Sequence, residues 1–194
     1  YSEYGLTGKD IHIAVLDTGI DTDHIDLSDS VESQACFADF CPNGADNAED
    51  DNGHGTHVSG IISSKGISTS VGVARDTRIH AIKVLDSSNG FSSSSIIIEA
   101  LDHIINNLPQ VNLVNMSLGT FDRFESFCDQ QNIYTRAFAT AINTLRDRGT
   151  LSFVASMNNA SSNSISAPAC ISNAISVGAV WDLSLIHISE PTRP

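Results

Sequence analysis

No stretch of this 194-residue chain approaches the ~20 consecutive apolar residues that a membrane-spanning helix needs. Nor does it open like a secretory leader, because Tyr1-Ser2-Glu3 brings no methionine, no basic segment and no apolar run behind it. A processed or truncated start is the expectation. Basic residues are scarce: Lys and Arg number 10 against 23 Asp and Glu, for a net charge of −13. The deficit is lopsided. Residues 1–51 hold 13 acids and one base, Lys9, leaving 10 acids and 9 bases for the remainder. A chain with no basic face cannot grip a phosphate backbone, so nucleic acid is excluded as a partner. The acidic half has two open uses, holding calcium or solvating a surface. No G-x-G-x-x-G or P-loop segment follows a strand, which argues against a nucleotide site. The cysteines Cys36, Cys41, Cys128 and Cys170 contain no C-x-x-C pair, which argues against zinc. No internal repeat is present.

What is there suits one globular domain. Hydrophobic residues make up 41% of the chain, enough for a core at this length. An even cysteine count fits two disulfides and an oxidising compartment, hence a secreted protein. Three pairings are open; Cys36 with Cys41, closing a short loop, and Cys128 with Cys170 is the expectation. A monomer is expected.

The apolar pattern alternates between strands and helices. Residues 11–16, Ile-His-Ile-Ala-Val-Leu, read as a strand covered on both faces, ending at Asp17-Thr18-Gly19. Residues 21–53 read as polar and irregular. A helix is predicted over 55–64, a strand over 78–85, and a helix over 93–108 with Ile97, Leu101, Ile104, Ile105 and Leu108 inward. Pro109 stands where a helix stop belongs. A strand over 111–119 precedes a loop over 120–132. A helix over 133–148 turns Phe138, Ala141, Ile142 and Leu145 inward, with Gly149 as its C-terminal glycine. Strands over 151–155 and 174–180 close the pattern, separated by a polar loop over 161–169. This order predicts an α/β protein of three αβα layers around a mostly parallel sheet.

Chemistry-bearing residues gather in Asp50-Asp51-Asn52-Gly53-His54-Gly55-Thr56-His57-Val58-Ser59-Gly60. A histidine between two glycines, at the start of a small-residue helix, can present its ring to a crevice. In open α/β sheets such crevices lie at the carboxyl ends of the strands. Asp17, His54 and Asn158 all fall at that edge. A carboxylate that fixes an imidazole makes two thirds of a nucleophilic triad, and a side-chain amide can stabilise the oxyanion. His54 and His57 also spell H-x-x-H with Asp50 or Asp51 alongside, but zinc hydrolases space two histidines at i, i+4 around a glutamate.

In these segments the sequence resembles the subtilisin-like serine proteases. The resemblance is carried by Ala14-Val15-Leu16-Asp17-Thr18-Gly19-Ile20, Asn52–Gly60, Gly72-Val73-Ala74, Lys83-Val84-Leu85, Asn115–Gly119 and Val177-Gly178-Ala179. It implies a serine endopeptidase with Asp17 as triad acid, His54 as base and Asn158 as oxyanion donor. It further implies that Ser117, Leu118, Gly119, Ala155 and Ser156 line the pocket for the residue before the scissile bond. Ser88, Asn89 and Gly90 would pair with the substrate main chain as an added strand. Polypeptide substrates follow, with no cofactor for the chemistry and His57 in a structural role. The alternative is a non-catalytic module of the same fold that grips peptides or calcium.

Several positions depart from the resemblance. Met157 replaces a usual glycine before the oxyanion asparagine, and Ile25 and Arg75 replace common prolines. Asp26 matches a calcium-binding acid of some members, but Lys65–Ser70 does not match the loop that supplies their other ligands, so no metal site is assigned. The largest departure is the serine. No Gly-Thr-Ser-x-Ala-like segment occurs, and Ser156-Met157 fits the oxyanion segment instead. Leu183–Arg193 reads without a mismatch as the translation of a transposase-type sequencing-library adapter. Residues 1–182 are therefore expected to be a partial peptidase domain, and 183–194 a non-native tail. On that expectation the chain is cut near Asp182, before its nucleophile, and is inactive as it stands.

Overall fold

The computed structural model describes residues 4–159 and 161–179. The expected tail over 183–194 and residue 180 of the last expected strand lie outside the described residues.

Six strands form one parallel sheet: β1 (His12–Asp17), β2 (Val31–Cys36), β3 (Arg78–Lys83), β4 (Leu113–Met116), β6 (Leu151–Ala155) and β8 (Ile175–Val177). Their spatial order is β2-β3-β1-β4-β6-β8. β5 (Arg123–Phe124) and β7 (Ile165–Ser166) make a separate antiparallel pair beside it. The sheet grows outward from β1 in both directions, so the chain reverses its winding between β1 and β4. Such a reversal opens a crevice at the carboxyl ends of the two strands.

Strand alternation assigns the layers. Ile13 and Val15 of β1 join Ile79 and Ala81 of β3 in one core, where Val58 and Ile62 of α1 (His54–Ser63) pack. Ala14 and Leu16 face the other way, into the larger core of α2 (Ser94–Asn107) and α3 (Ile133–Asp147). Both faces of β1 are therefore dry, as its near-continuous apolar sequence requires.

The long helices follow their predicted faces. Ile97, Leu101 and Ile104 of α2 and Phe138, Ala141, Ile142 and Leu145 of α3 are buried, while Ile105 is half-buried. Side chains close their ends. Asn132 accepts from the Thr135 N–H at 2.9 Å, while its own N–H donates to the Thr135 hydroxyl at 3.0 Å. The Arg148 guanidinium donates to the carbonyls of Ile104 and Ile105 at the end of α2, where Ile104 also accepts the Leu108 N–H.

The region over 21–53 is less irregular than its composition suggests, because it contains β2. Only Ala35 and Cys36 of that strand are buried, so it carries no apolar run to betray it. β4 and β8 are shorter than predicted, and the two-residue strands β5 and β7 fall inside the predicted loops. Cys36 pairs with Cys41 and Cys128 with Cys170, as expected.

Candidate active site

Asp17 is the last residue of β1 and is 1% exposed. His54 is the first residue of α1, and its Nδ1 lies 2.6 Å from Asp17 Oδ1. The same oxygen accepts the Thr18 N–H at 2.7 Å. Burial is the largest influence on this carboxyl and raises its pKa, against the lowering effect of the His54 and Thr18 hydrogen bonds. Its second oxygen, Oδ2, is buried and has no hydrogen-bond partner within the described residues.

The histidine is held by a built loop. Gly53 takes φ 105° to turn the chain into α1. The open N–H groups of the first turn are met by side chains: His54 donates to Asn52 Oδ1, Gly55 to Thr18 Oγ1 and Thr56 to Asp50 Oδ2. Asp50 is the hub. Its Oδ1 accepts from Thr18 Oγ1, Asn52 N and Gly53 N, and its Oδ2 also accepts from the Thr56 hydroxyl. Burial alone would raise this carboxyl, but these donors, led by Gly53 N–H, hold it at about 2. Gly55 is required by close approach, since a Cβ there would stand 2.1 Å from the Gly19 carbonyl oxygen. α1 thus runs directly against the end of β1, which places His54 over Asp17.

Lys83 completes the support from the next strand. Paired in register with Asp17, it is 1% exposed, and its Nζ donates to Thr18 O and Asp51 Oδ1, both at 2.6 Å, and to Leu85 O at 2.9 Å. Neither Asp50 nor Lys83 was assigned a role by sequence. A lone lysine in the apolar run Ala81-Ile82-Lys83-Val84-Leu85 was the available signal, because a buried ammonium must find acceptors.

Across the sheet edge from His54 lie the loops that follow β4 and β6. A recess of about 220 Å³ is lined by His54, Leu85, Asn89, Phe91, Ser117, Leu118, Gly119, Ala155, Met157 and Asn158. It brings together His54, Asn158, Asn89, Ala155 and all of Ser117–Gly119 among the expected site residues. Ser156 stands apart, its N–H donating to the Val177 carbonyl. Ser88, Asn89 and Gly90 belong to a turn closed on Asp86, whose Oδ1 accepts from the N–H groups of Ser88 and Gly90. Those two donors are spent internally, so this segment does not stand as an open edge strand. Met157 sits in the left-handed region at φ 75°, which costs a non-glycine residue about 1–2 kcal/mol.

The rival use of His54 and His57 does not fit this geometry. His57 is on the outer flank of α1, lining a separate groove of about 780 Å³ with His24, and both Asp50 oxygens face donors. Among the described residues no set of three His, Cys, Asp or Glu is placed to hold a metal. Asp26 is likewise surrounded by donors. It accepts the Ser68 hydroxyl at 2.6 Å and the N–H groups of Ile67, Ser68 and Thr69, and its carboxyl is held well below the usual range, first by Ser68. It pins the loop over 65–70 rather than presenting oxygen to a cation.

Comparison with known proteins adds the decisive observation. The Subtilase family matches residues 8–187. The chain belongs to the subtilase family. Subtilisin Savinase of Lederbergia lenta is 38% identical over 176 residues, covering 90% of this chain and 57% of its own length. Minor extracellular protease Epr of Bacillus subtilis (strain 168) is 35% identical over 176 residues, covering 90% of this chain and 24% of its own length. Among solved structures, Sphericase superposes with a TM-score of 0.76 at 32% identity, over 91% of this chain and 56% of that one. This subtilase chain therefore spans about half, or less, of the length of these relatives. Its parallel sheet and flanking helices are those of the subtilisin-like fold.

Proposed function

We propose that this chain is part of a secreted serine endopeptidase. In it, Asp17 is the triad acid, His54 the general base and Asn158 an oxyanion donor. The reading is carried by the 2.6 Å contact between Asp17 Oδ1 and His54 Nδ1, beside a recess shared with Asn158. Asp17 accepts a hydrogen bond from Nδ1–H of His54, which leaves Nε2 as the nitrogen free to take a proton from a nucleophile. In the complete site a serine hydroxyl attacks the peptide carbonyl and gives its proton to His54, and His54 returns it to the leaving amine. Water then repeats the sequence on the acyl-enzyme. The Asn158 amide is the donor for the oxyanion that forms at each attack. In subtilisin itself, loss of one such donor lowers turnover about 10²–10³-fold.

The nucleophile belongs, in this proposal, to sequence beyond Asp182, with residues 183–194 a non-native tail. That part rests on sequence alone; the family match runs to His187, inside the tail. Asn89, Ser117, Leu118, Gly119 and Ala155 are assigned to substrate, with Ser156 behind them as support. The two disulfides and the name of the extracellular relative support secretion. Residues 1–194 alone are expected to remain unlabelled by a fluorophosphonate probe. Stoichiometric labelling of any of its serines refutes the assignment. A peptide-gripping module without catalysis is the outcome if the source gene, read past Asp182, supplies no reactive serine.

A further inference from the structure

Met157 stands directly before Asn158 with a left-handed backbone, φ 75°. That conformation belongs to glycine, and a side chain attached there has its Cα–Cβ direction fixed by the main chain. Met157 lines the recess shared by His54, Leu118 and Asn158. A Cβ placed on Gly119 would lie 2.7 Å from Met157 Cγ and 3.0 Å from its Sδ. The methionine therefore fills the space over the Gly119 backbone, between the loops that end β4 and β6.

Resting on the reading above, in which His54 and Asn158 flank the bond to be cut, we infer that Met157 is a specificity-determining residue. It raises the floor of the pocket for the side chain on the acyl side of the scissile bond. The enzyme accordingly takes Gly, Ala or Ser there and excludes Phe and Leu. Methionine is flexible at its far end. Its Cβ direction is set by the backbone, however, and its Cγ lies close over Gly119, so a bulky substrate side chain meets the methionine there.

The test uses the whole protein, expressed from its source gene read past Asp182. Rates are measured on succinyl-Ala-Ala-Pro-Xaa-p-nitroanilides with Xaa as Ala, Leu or Phe. The unaltered enzyme is expected to favour Ala over Phe in kcat/KM by at least about tenfold. Met157→Gly is expected to raise the Phe-to-Ala ratio at least about tenfold, and Met157→Ala to move it in the same direction. Equal or better cleavage after Phe by the unaltered enzyme overturns the inference, whether or not the variants fold. So does an unchanged ratio in folded variants. If none of the three substrates is cleaved, the peptidase reading fails, and this inference with it.

Discussion

Lys83 shows how much of the site depends on a side chain that touches no substrate. Its ammonium is shut away between Thr18 O, Leu85 O and the Asp51 carboxylate, which is itself a third exposed. Removing the charge leaves two carbonyls and a partly buried carboxylate without their donor. Breaking such a pair is costly even where the pair adds little net stability. Lys83→Met is therefore expected to lower unfolding free energy by about 3 kcal/mol, at the lower end of the range for a buried pair. A denaturant midpoint shifted by less than the equivalent of about 1 kcal/mol speaks against it. At this scale the sequence was legible where chemistry is local. Asp17 and His54 lie in short segments whose glycines and strand ends announce them. The left-handed Met157 was not legible, because it packs against Gly119 of a sequence-distant loop and takes a backbone angle that its residue type does not reveal.

At the scale of elements, the strand–helix alternation was read correctly where burial writes a clear period. β1 and β3 are dry on both faces, and α2 and α3 each carry an unbroken apolar stripe. β2 escaped because it pairs only with β3 on one side and leaves four of its six positions incompletely buried. Its end is held by the Cys36–Cys41 disulfide, beside Phe37 and Ala38, whose N–H groups donate to the Lys83 carbonyl. The second disulfide, Cys128–Cys170, closes a loop with a sequence separation of 42, against 5 for the first. Cross-linking a longer loop removes more entropy from the unfolded chain, giving about 4 kcal/mol for the long loop and about 2 for the short one. Cys→Ser replacement of both members of the 128–170 pair is thus expected to lower the thermal midpoint by more than replacement of the 36–41 pair. The reverse order, in matched melts without reductant, contradicts that ranking.

For the whole molecule, acid sensitivity divides into two windows. His80 is buried within β3, aligned in register with Ala14 of β1 and apart from the site at Asp17. Its Nε2 is 3.0 Å from His12 Nδ1 on β1, its Nδ1 is 2.6 Å from Ser33 Oγ on β2, and Glu32 and His103 of α2 act on it at longer range. Burial, then the His12 charge, push its pKa down to about 4. The folded value lies below the unfolded one, so its stabilisation is complete above about pH 6.5 and is lost as pH falls towards 4. The loss amounts to about 3 kcal/mol. The depressed carboxyls of Asp50 and Asp26 add a second loss below about pH 4, where the unfolded chain takes up protons first. Asp17, whose pKa is raised, acts in the opposite sense. Thermal midpoints are expected to begin falling near pH 6.5, and His80→Gln to remove that first limb alone. A midpoint flat down to pH 4 contradicts this. The central claim is that Asp17, His54 and Asn158 form the part of a serine peptidase site that precedes its nucleophile. It is tested most directly by fluorophosphonate labelling of the whole protein, read past Asp182, followed by peptide mapping. One labelled serine is expected, C-terminal to Asp182, and its labelling is abolished by His54→Ala. No label, or a label within residues 1–182, contradicts it.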